Sequence, residues 1–179
     1  MKTSVSADLQ PVLEGPTLRL RPLRVEDYQA LYVAASDPLI WEQNPEPTRY
    51  QKPVFEKLFA KYLELSGPLV IIDKHSGEII GTSSYYDYDP EKQEIAIGYT
   101  FITRRCWGGR TNAELKQLML RHIFQWVNVV WFHIGASNWR SRKALEKLGG
   151  VLSHAGQRPT ASGGMTDYLY YKITAPEAN

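Results

Sequence analysis

A single cysteine, Cys106, in 179 residues leaves no partner for an intramolecular disulfide and fits a reducing compartment, so the chain reads as cytoplasmic. Metal-binding patterns are missing too. His75, His122, His133 and His154 lie on different segments, no two are at ligand spacing, and no cysteine cluster completes a site, so no metal is expected. No apolar run approaches a membrane span, and residues 1–12 lack the apolar core of a signal peptide, so no membrane association is expected. Charge of one sign is also lacking. With 21 Lys and Arg against 19 Asp and Glu, the net charge of +2 supplies no general field to attract nucleic acid or anionic lipid, and any anion affinity must be local. There is no internal repeat and no low-complexity segment. The length suits one well-buried core, expected over residues 13–175, with flexible tails at 1–12 and 176–179.

What is present centres on residues 93–114, QEIAIGYTFITRRCWGGRTNAE. Residues 93–102 alternate, which predicts a strand with Ile95, Ile97, Tyr99 and Phe101 on one side and Glu94, Ala96, Gly98 and Thr100 on the other. A basic turn with Gly108 and Gly109 follows, then Thr111 or Asn112 as the N-cap of a long helix. Leu115, Leu118, Met119, Ile123, Trp126 and Val127 are spaced by three and four residues, the pattern of one buried helix face. A free first turn offers unpaired N–H groups and the positive end of the helix dipole. With two glycines and Arg104, Arg105 and Arg110 beside it, the junction suits a pyrophosphate, although a simply capped strand-to-helix turn has the same composition.

The rest of the chain places elements on both sides of this junction. Residues 17–21 predict a first strand and 25–35 a helix behind Glu26 and Asp27. The proline-rich stretch 38–53 predicts a loop of the kind that carries substrate contacts, with Trp41 as the candidate, or as a plain hydrophobic anchor. Residues 54–65 predict a second helix, and 69–72 and 79–88 two strands. The tyrosines of the latter are half-buried strand residues, of which Tyr86 is taken as a second substrate candidate. After the long helix come a strand at 129–134, a short helix at 139–148, and strands at 151–154 and 168–173 flanking a polar, mobile loop, GQRPTASGGM.

This element order, with Arg105-Cys-Trp-Gly108-Gly-Arg110 and the block Asn138-Trp-Arg-Ser141-Arg-Lys-Ala-Leu-Glu-Lys-Leu-Gly149, resembles the GNAT superfamily of acetyl-CoA-dependent N-acetyltransferases. The second block resembles the branch that includes the ribosomal-protein N-terminal acetyltransferases. The resemblance implies an α/β (α+β) fold: a mixed, mostly antiparallel sheet whose central parallel strand pair splays to hold acetyl-CoA, flanked by about four helices. It implies that Phe101, Ile102 and Thr103 border the pantetheine arm, and that Arg105, Gly108, Gly109, Arg110 and Thr111 hold the pyrophosphate. Asn138 would bond the pantetheine amides, and Ser141 would lie near the sulfur. Arg110 departs from the family's glycine or alanine and adds bulk beside the phosphate.

Acetyl transfer to an amine needs a neutral nucleophile, a stabilised oxyanion and a proton for the leaving thiolate. The implied activity is direct transfer from acetyl-CoA to a primary amine, on a protein N-terminus or a small molecule, in a ternary complex. Glu94 is the candidate general base, in competition with a role as a solvated residue at a strand start, and Ser141 is the candidate proton donor. Asn138 equally suits a helix cap. Glu42 and Glu46 suit a cationic acceptor such as a polyamine. Cys106 has no neighbouring histidine to activate it as a nucleophile. A catalytically weak scaffold that senses acyl-CoA is the alternative. No nucleic-acid partner is expected, and the chain is read as a monomer or homodimer.

Overall fold

The computed structural model describes residues 6–177. Residues 1–5 and 178–179, parts of the tails expected at 1–12 and 176–179, lie outside the described residues. Eight strands form one sheet in the order β1-β2-β3-β4-β5-β6-β8-β7: β1 (Leu13–Glu14), β2 (Leu18–Pro22), β3 (Gly67–Asp73), β4 (Ile79–Asp89), β5 (Glu94–Ile102), β6 (Val129–Gly135), β7 (Val151–Pro159) and β8 (Met165–Thr174). Every neighbouring pair is antiparallel except β5 with β6, which are parallel and joined by the crossover helix α4 (Thr111–Ile123). The fold is the mixed, mostly antiparallel α/β sheet that the resemblance implied, with five α-helices where about four were expected.

The sheet separates two apolar clusters. On one face, Leu20, Leu69, Ile71, Ile95 and Ile97 pack against Leu115, Met119 and Ile123 of α4. On the other, Val70 and Phe101 meet α1 (Tyr28–Ala35), α2 (Pro38–Trp41) and α3 (Lys52–Glu64) through Leu31, Trp41, Phe55, Phe59 and Tyr62. Leu69, Val70 and Ile71 thus alternate between clusters with the period of a strand.

On β5 that alternation breaks, which corrects the single apolar face expected for residues 95–101. Tyr99 has φ +52°, and the register to β4 slips, Ser84 opposing Gly98 and Thr82 opposing Phe101. One extra residue is inserted, and the side chains beyond it exchange faces. Ile95 and Ile97 face α4, Tyr99 and Phe101 turn to the α1/α3 side, and Ile102 returns to the α4 side.

Other boundaries also moved, each for a local reason. Part of the expected loop at 38–53 is the short helix α2, started by Pro38 in its first turn and by Asp37, whose carboxylate accepts the Leu39 N–H at 3.0 Å. The Trp41 indole N–H is anchored on Ala35 O at 2.8 Å. The N-cap of α4 is Arg110, with no side-chain capping bond, not Thr111 or Asn112. Its buried face includes Lys116, while Leu118 and Trp126 are only partly covered. Half of the polar stretch expected as a mobile loop is strand. Residues 156–159 continue β7 against β8, leaving a connection of five residues, 160–164.

Near the N-terminus, Asp27 and Arg21 form a largely buried bidentate pair at 2.8 and 2.9 Å. The Asp27 carboxylate also accepts the Arg24 N–H at 2.8 Å. Glu114 of α4 accepts the Leu18 N–H at 2.7 Å and the Thr17 hydroxyl at 2.7 Å, tying β2 to the helix after the glycine turn. Among the described residues no helix is long and apolar enough to cross a membrane, and no group of His, Cys, Asp and Glu is arranged to hold a metal.

Candidate active site

The parallel pair β5–β6 is joined over only three residues each, Glu94–Val129, Ile95–Val130 and Ala96–Trp131. Beyond them the strands diverge, since the bulge at Tyr99 bends β5 away, and a cavity of about 600 Å³ opens between them. One end meets the turn before α4 and is lined by Ile102, Gly108, Gly109, Asn112, Asn138 and Ser141. The other end is lined by Trp41, Arg49, Tyr86, His133, Arg158 and Tyr168.

The turn end is an anion site made chiefly of backbone. Among the described residues no acceptor takes the amide N–H groups of Gly108, Gly109 or Arg110, and the first turn of α4 has no side-chain cap. Gly108 has φ +76°, a conformation that glycine adopts without strain. A Cβ at Gly108 or Gly109 would have no heavy atom within 4 Å, so the space above the turn is open to a ligand. The arginines of the turn are less available than the sequence suggested. Arg104 is paired with Asp37, whose carboxyl that bond holds below its usual range. Arg105 is paired with Glu78 at 2.7 Å and lies 3.7 Å from Asp73. Of the three, only Arg110 is without an ion pair among the described residues, and it is exposed. The Trp107 indole donates to Ile102 O at 2.9 Å, and Arg140 stacks on its ring at 4.0 Å.

A buried cation lies in the floor of the gap. Lys116 projects from α4 to donate to Thr100 Oγ1 at 3.2 Å, which also shares a hydrogen bond of 2.7 Å with Ser83. Burial lowers the Lys116 ammonium to a pKa of about 8.

At the far end Arg158 donates to His133 Nδ1 at 2.9 Å, and the Tyr86 hydroxyl lies 3.1 Å from the same nitrogen. Burial, and then the Arg158 charge, push His133 down to about 4. Burial raises the Tyr86 phenol well above its ordinary value. Tyr168 is also raised by burial, against the opposing charges of Arg49 and Arg158.

Of the residues singled out from sequence, the structure brings Trp41, Tyr86, Phe101, Ile102, Gly108, Gly109, Asn138 and Ser141 into the wall of this one cavity. Thr103, Arg105, Arg110 and Thr111 lie in or beside the turn but do not line the cavity. Glu94 is not brought to it. Its carboxylate accepts the Trp131 indole N–H at 3.1 Å, at the closed end of the parallel pair. Asn138 caps α5 (Trp139–Lys147), its side-chain oxygen accepting the Ser141 N–H at 3.3 Å. Glu42 is paired with Arg140 at 3.3 Å, and Glu46 accepts the Ala161 N–H at 2.6 Å. Sequence reasoning missed Arg49, Lys116, His133, Arg158 and Tyr168. Lys116 had a signal, because it sits beside Leu115 on the buried helix stripe; the others come from separate segments.

Comparison with known proteins agrees with this architecture. A family model described as acetyltransferase (GNAT) domain matches residues 17–151. A solved protein assigned as an acetyltransferase is 27% identical, with a TM-score of 0.80, covering 92% of this chain and 87% of its own. Another, from T. thermophilus, is 27% identical, with a TM-score of 0.75, covering 92% and 89%. RimJ from Mycobacterium smegmatis, solved with CoA-disulfide, shares the fold at 20% identity and a TM-score of 0.71, covering 92% and 86%. No curated protein matches the chain by sequence.

Proposed function

The chain belongs to the GNAT acetyltransferase family, and from that premise we propose that it transfers an acetyl group from acetyl-CoA directly to a primary amine held in the same cavity. The observation that carries the proposal is the three-residue parallel pairing of β5 and β6, which leaves a gap running from the free amides of the glycine turn to the aromatic end.

In this proposal the pyrophosphate sits on the amides of residues 108–111, where donors and the helix dipole face an open space. Arg110 adds its exposed guanidinium from outside, whereas Arg105 contributes backbone only, because its side chain is paired with Glu78. The pantetheine arm follows the splayed edge past Phe101 and Ile102. The Asn138 carboxamide keeps its N–H2 for the arm while its oxygen caps α5. The amine nitrogen attacks the thioester carbonyl carbon, the C–S bond breaks as the tetrahedral intermediate collapses, and Ser141 gives its hydroxyl proton to the departing thiolate while taking up the proton that the acylated nitrogen releases.

Glu94 is given no part in proton transfer, since it faces Trp131 and not the cavity. His133 is no base either while Nδ1 accepts from Arg158, because the neutral ring then carries its proton on Nε2. The acceptor must therefore attack as the neutral amine. Its class is open between a protein N-terminus, which the Asn138 to Gly149 block suggests through its likeness to the ribosomal-protein branch, and a small molecule.

The test is release of free thiol from acetyl-CoA on addition of amines, with mass analysis of the amine for one added acetyl group. Thiol release that depends on an amine and is lost in Ser141→Ala together with Asn138→Ala supports the proposal. Cofactor binding, seen as a raised thermal midpoint, without thiol release from any amine would identify an acyl-CoA sensor instead.

A further inference from the structure

The far end of the cavity carries two arginines without ion pairs among the described residues, and, unlike Arg142, whose N–H groups go to the Tyr171 hydroxyl and Ala136 O, they keep most of their donors free. Of the arginines, Arg19, Arg21, Arg104, Arg105 and Arg140 are paired with carboxylates. Arg49 and Arg158 are half-buried in the cavity wall, yet neither has a carboxylate within 4.0 Å among the described residues. Each lies over an aromatic face instead, Arg49 over Trp41 and Arg158 over Tyr168, both at 5.7 Å. Both also act on the Tyr168 phenol, which places their charges at the same end of the cavity. A guanidinium partly withdrawn from water without a counter-ion is costly, and two at one site cost more, unless a ligand supplies the negative charge.

The geometry of each arginine suits that role. A ring face at this distance attracts the guanidinium without using its N–H groups, which stay available for a bidentate contact with a carboxylate or phosphate. Arg158 spends one nitrogen on His133 Nδ1, which positions it, and the one hydrogen bond of the Arg49 side chain among the described residues goes to Asn44 Oδ1 at the limit of 3.5 Å. The single acidic residue lining the cavity, Glu46, is held on the Ala161 N–H. Asp87, whose charge also acts on His133 and Tyr86, forms no ion pair with either arginine among the described residues, so both guanidinium groups stay available and a polycation is disfavoured at this end, contrary to the expectation drawn from Glu42 and Glu46. The aromatic wall of Trp41, Tyr86, Tyr99 and Phe101 adds an apolar surface beside the charges.

We infer that the acceptor is a small amine that also carries an anionic group, a carboxylate or a phosphate, and that Arg49 and Arg158 bind that group. This inference rests on the acetyl-transfer reading for the identity of the attacking group, but the anion site itself does not.

The experiment compares matched amines as acceptors with acetyl-CoA: L-phenylalanine against 2-phenylethylamine for the carboxylate, O-phosphoethanolamine against ethanolamine for the phosphate, with spermidine and a C-terminally amidated tripeptide as the other classes. One or both anionic amines are expected to show KM at least about tenfold below the matched neutral amine, the value of a charge-assisted bidentate contact. In Arg158→Gln and Arg49→Gln that preference should collapse, with KM for the anionic amine rising about tenfold or more while kcat changes less. Equal or better turnover of the neutral amines, spermidine or the amidated tripeptide would overturn the inference and leave acetyl transfer standing. A second measurement needs no turnover: N-acetyl-L-phenylalanine and O-phosphoethanolamine are added to the CoA-loaded protein, and the thermal midpoint is read. A rise in the parent that is absent in Arg158→Gln supports the anion site even if no amine is acetylated, an outcome that would count against the transfer reading alone. No rise with either compound at millimolar concentration overturns the site.

Discussion

Arg158 on β7 donates to Nδ1 of His133 on β6 at 2.9 Å, and this contact decides the state of the imidazole. A guanidinium only donates, so Nδ1 must accept, and the ring is neutral with its proton on Nε2. Its folded pKa, about 4, lies below the ordinary 6.5 of an unfolded chain. The unfolded chain therefore takes up a proton that the native one refuses as pH falls below 6.5, and stability is lost from there until about pH 4, where the loss is complete. Between pH 7 and pH 4 the thermal midpoint of the parent should fall relative to that of His133→Gln, which has no such proton to take up. Parallel curves would mean that the histidine does not titrate in this way.

Lys116 makes the opposite end of the pH scale informative. Its folded pKa of about 8 is below the ordinary 10.5, so under pH 8 the protein bears the full cost of burying the ammonium. As pH rises from 8 towards 10.5 that cost disappears, because the folded state has already released the proton. The stability of Lys116→Met relative to the parent should accordingly fall by up to about 3 kcal/mol between pH 7 and pH 10, as the parent sheds that cost. Urea denaturation at the two pH values measures it, and a gap that does not change with pH would contradict the assignment.

Gly109 separates ligand binding from folding. A side chain there meets no protein atom within 4 Å and the backbone does not need glycine's positive φ, so Gly109→Val should leave the thermal midpoint of the free protein within a degree or so. The same side chain fills the space above the free amides. The midpoint rise produced by acetyl-CoA should fall to that expected for at least about a tenfold weaker complex. An unchanged rise would put the pyrophosphate elsewhere.

Asp27 tests the pair at the start of α1. Desolvation works against the Asp27 carboxylate, but hydrogen bonds from the Arg21 side chain and the Arg24 backbone outweigh it and hold its pKa below the ordinary value. Asp27→Asn leaves the Arg21 guanidinium without its counter-charge and should cost roughly 3 kcal/mol in chemical denaturation. The double variant Arg21→Met with Asp27→Leu should recover much of that loss.

Much of the frame was legible in the chain because period and punctuation agreed there. Residues 93–102 read as a strand and the stripe from Leu115 to Val127 as a helix from spacing alone, and the glycine turn between them stood where the fold has it. The bulge at Tyr99 was hidden, since a positive φ on a tyrosine is imposed by its neighbours in the sheet and leaves no mark in local composition. Glu94 was placed on the right strand, but the depth at which the parallel pair opens decides whether a residue sees the cavity, and that depth is a tertiary property. Arg49, His133, Arg158 and Tyr168 come from a loop and three strands, so nothing short of the sheet order makes them neighbours. Arg158 was further concealed because its glycine- and serine-rich surroundings resembled a mobile loop rather than the end of a long hairpin.

The short pairing of β5 with β6 also has a mechanical meaning. Strands β1 to β5 form one block of the sheet and β6, β8 and β7 another, and the backbone ladder between the blocks pairs only three residues on each side, with Gln93 O taking the Asn128 N–H at its closed end and a few side-chain bonds such as Tyr86 to His133 beside it. Opening that seam breaks far fewer backbone bonds than separating β6 from β8, which are in register over seven residues. Amide protons of residues 94–96 and 129–131 should thus exchange with solvent through a local opening cheaper than global unfolding, and a ligand lying across the gap would splice the two blocks together.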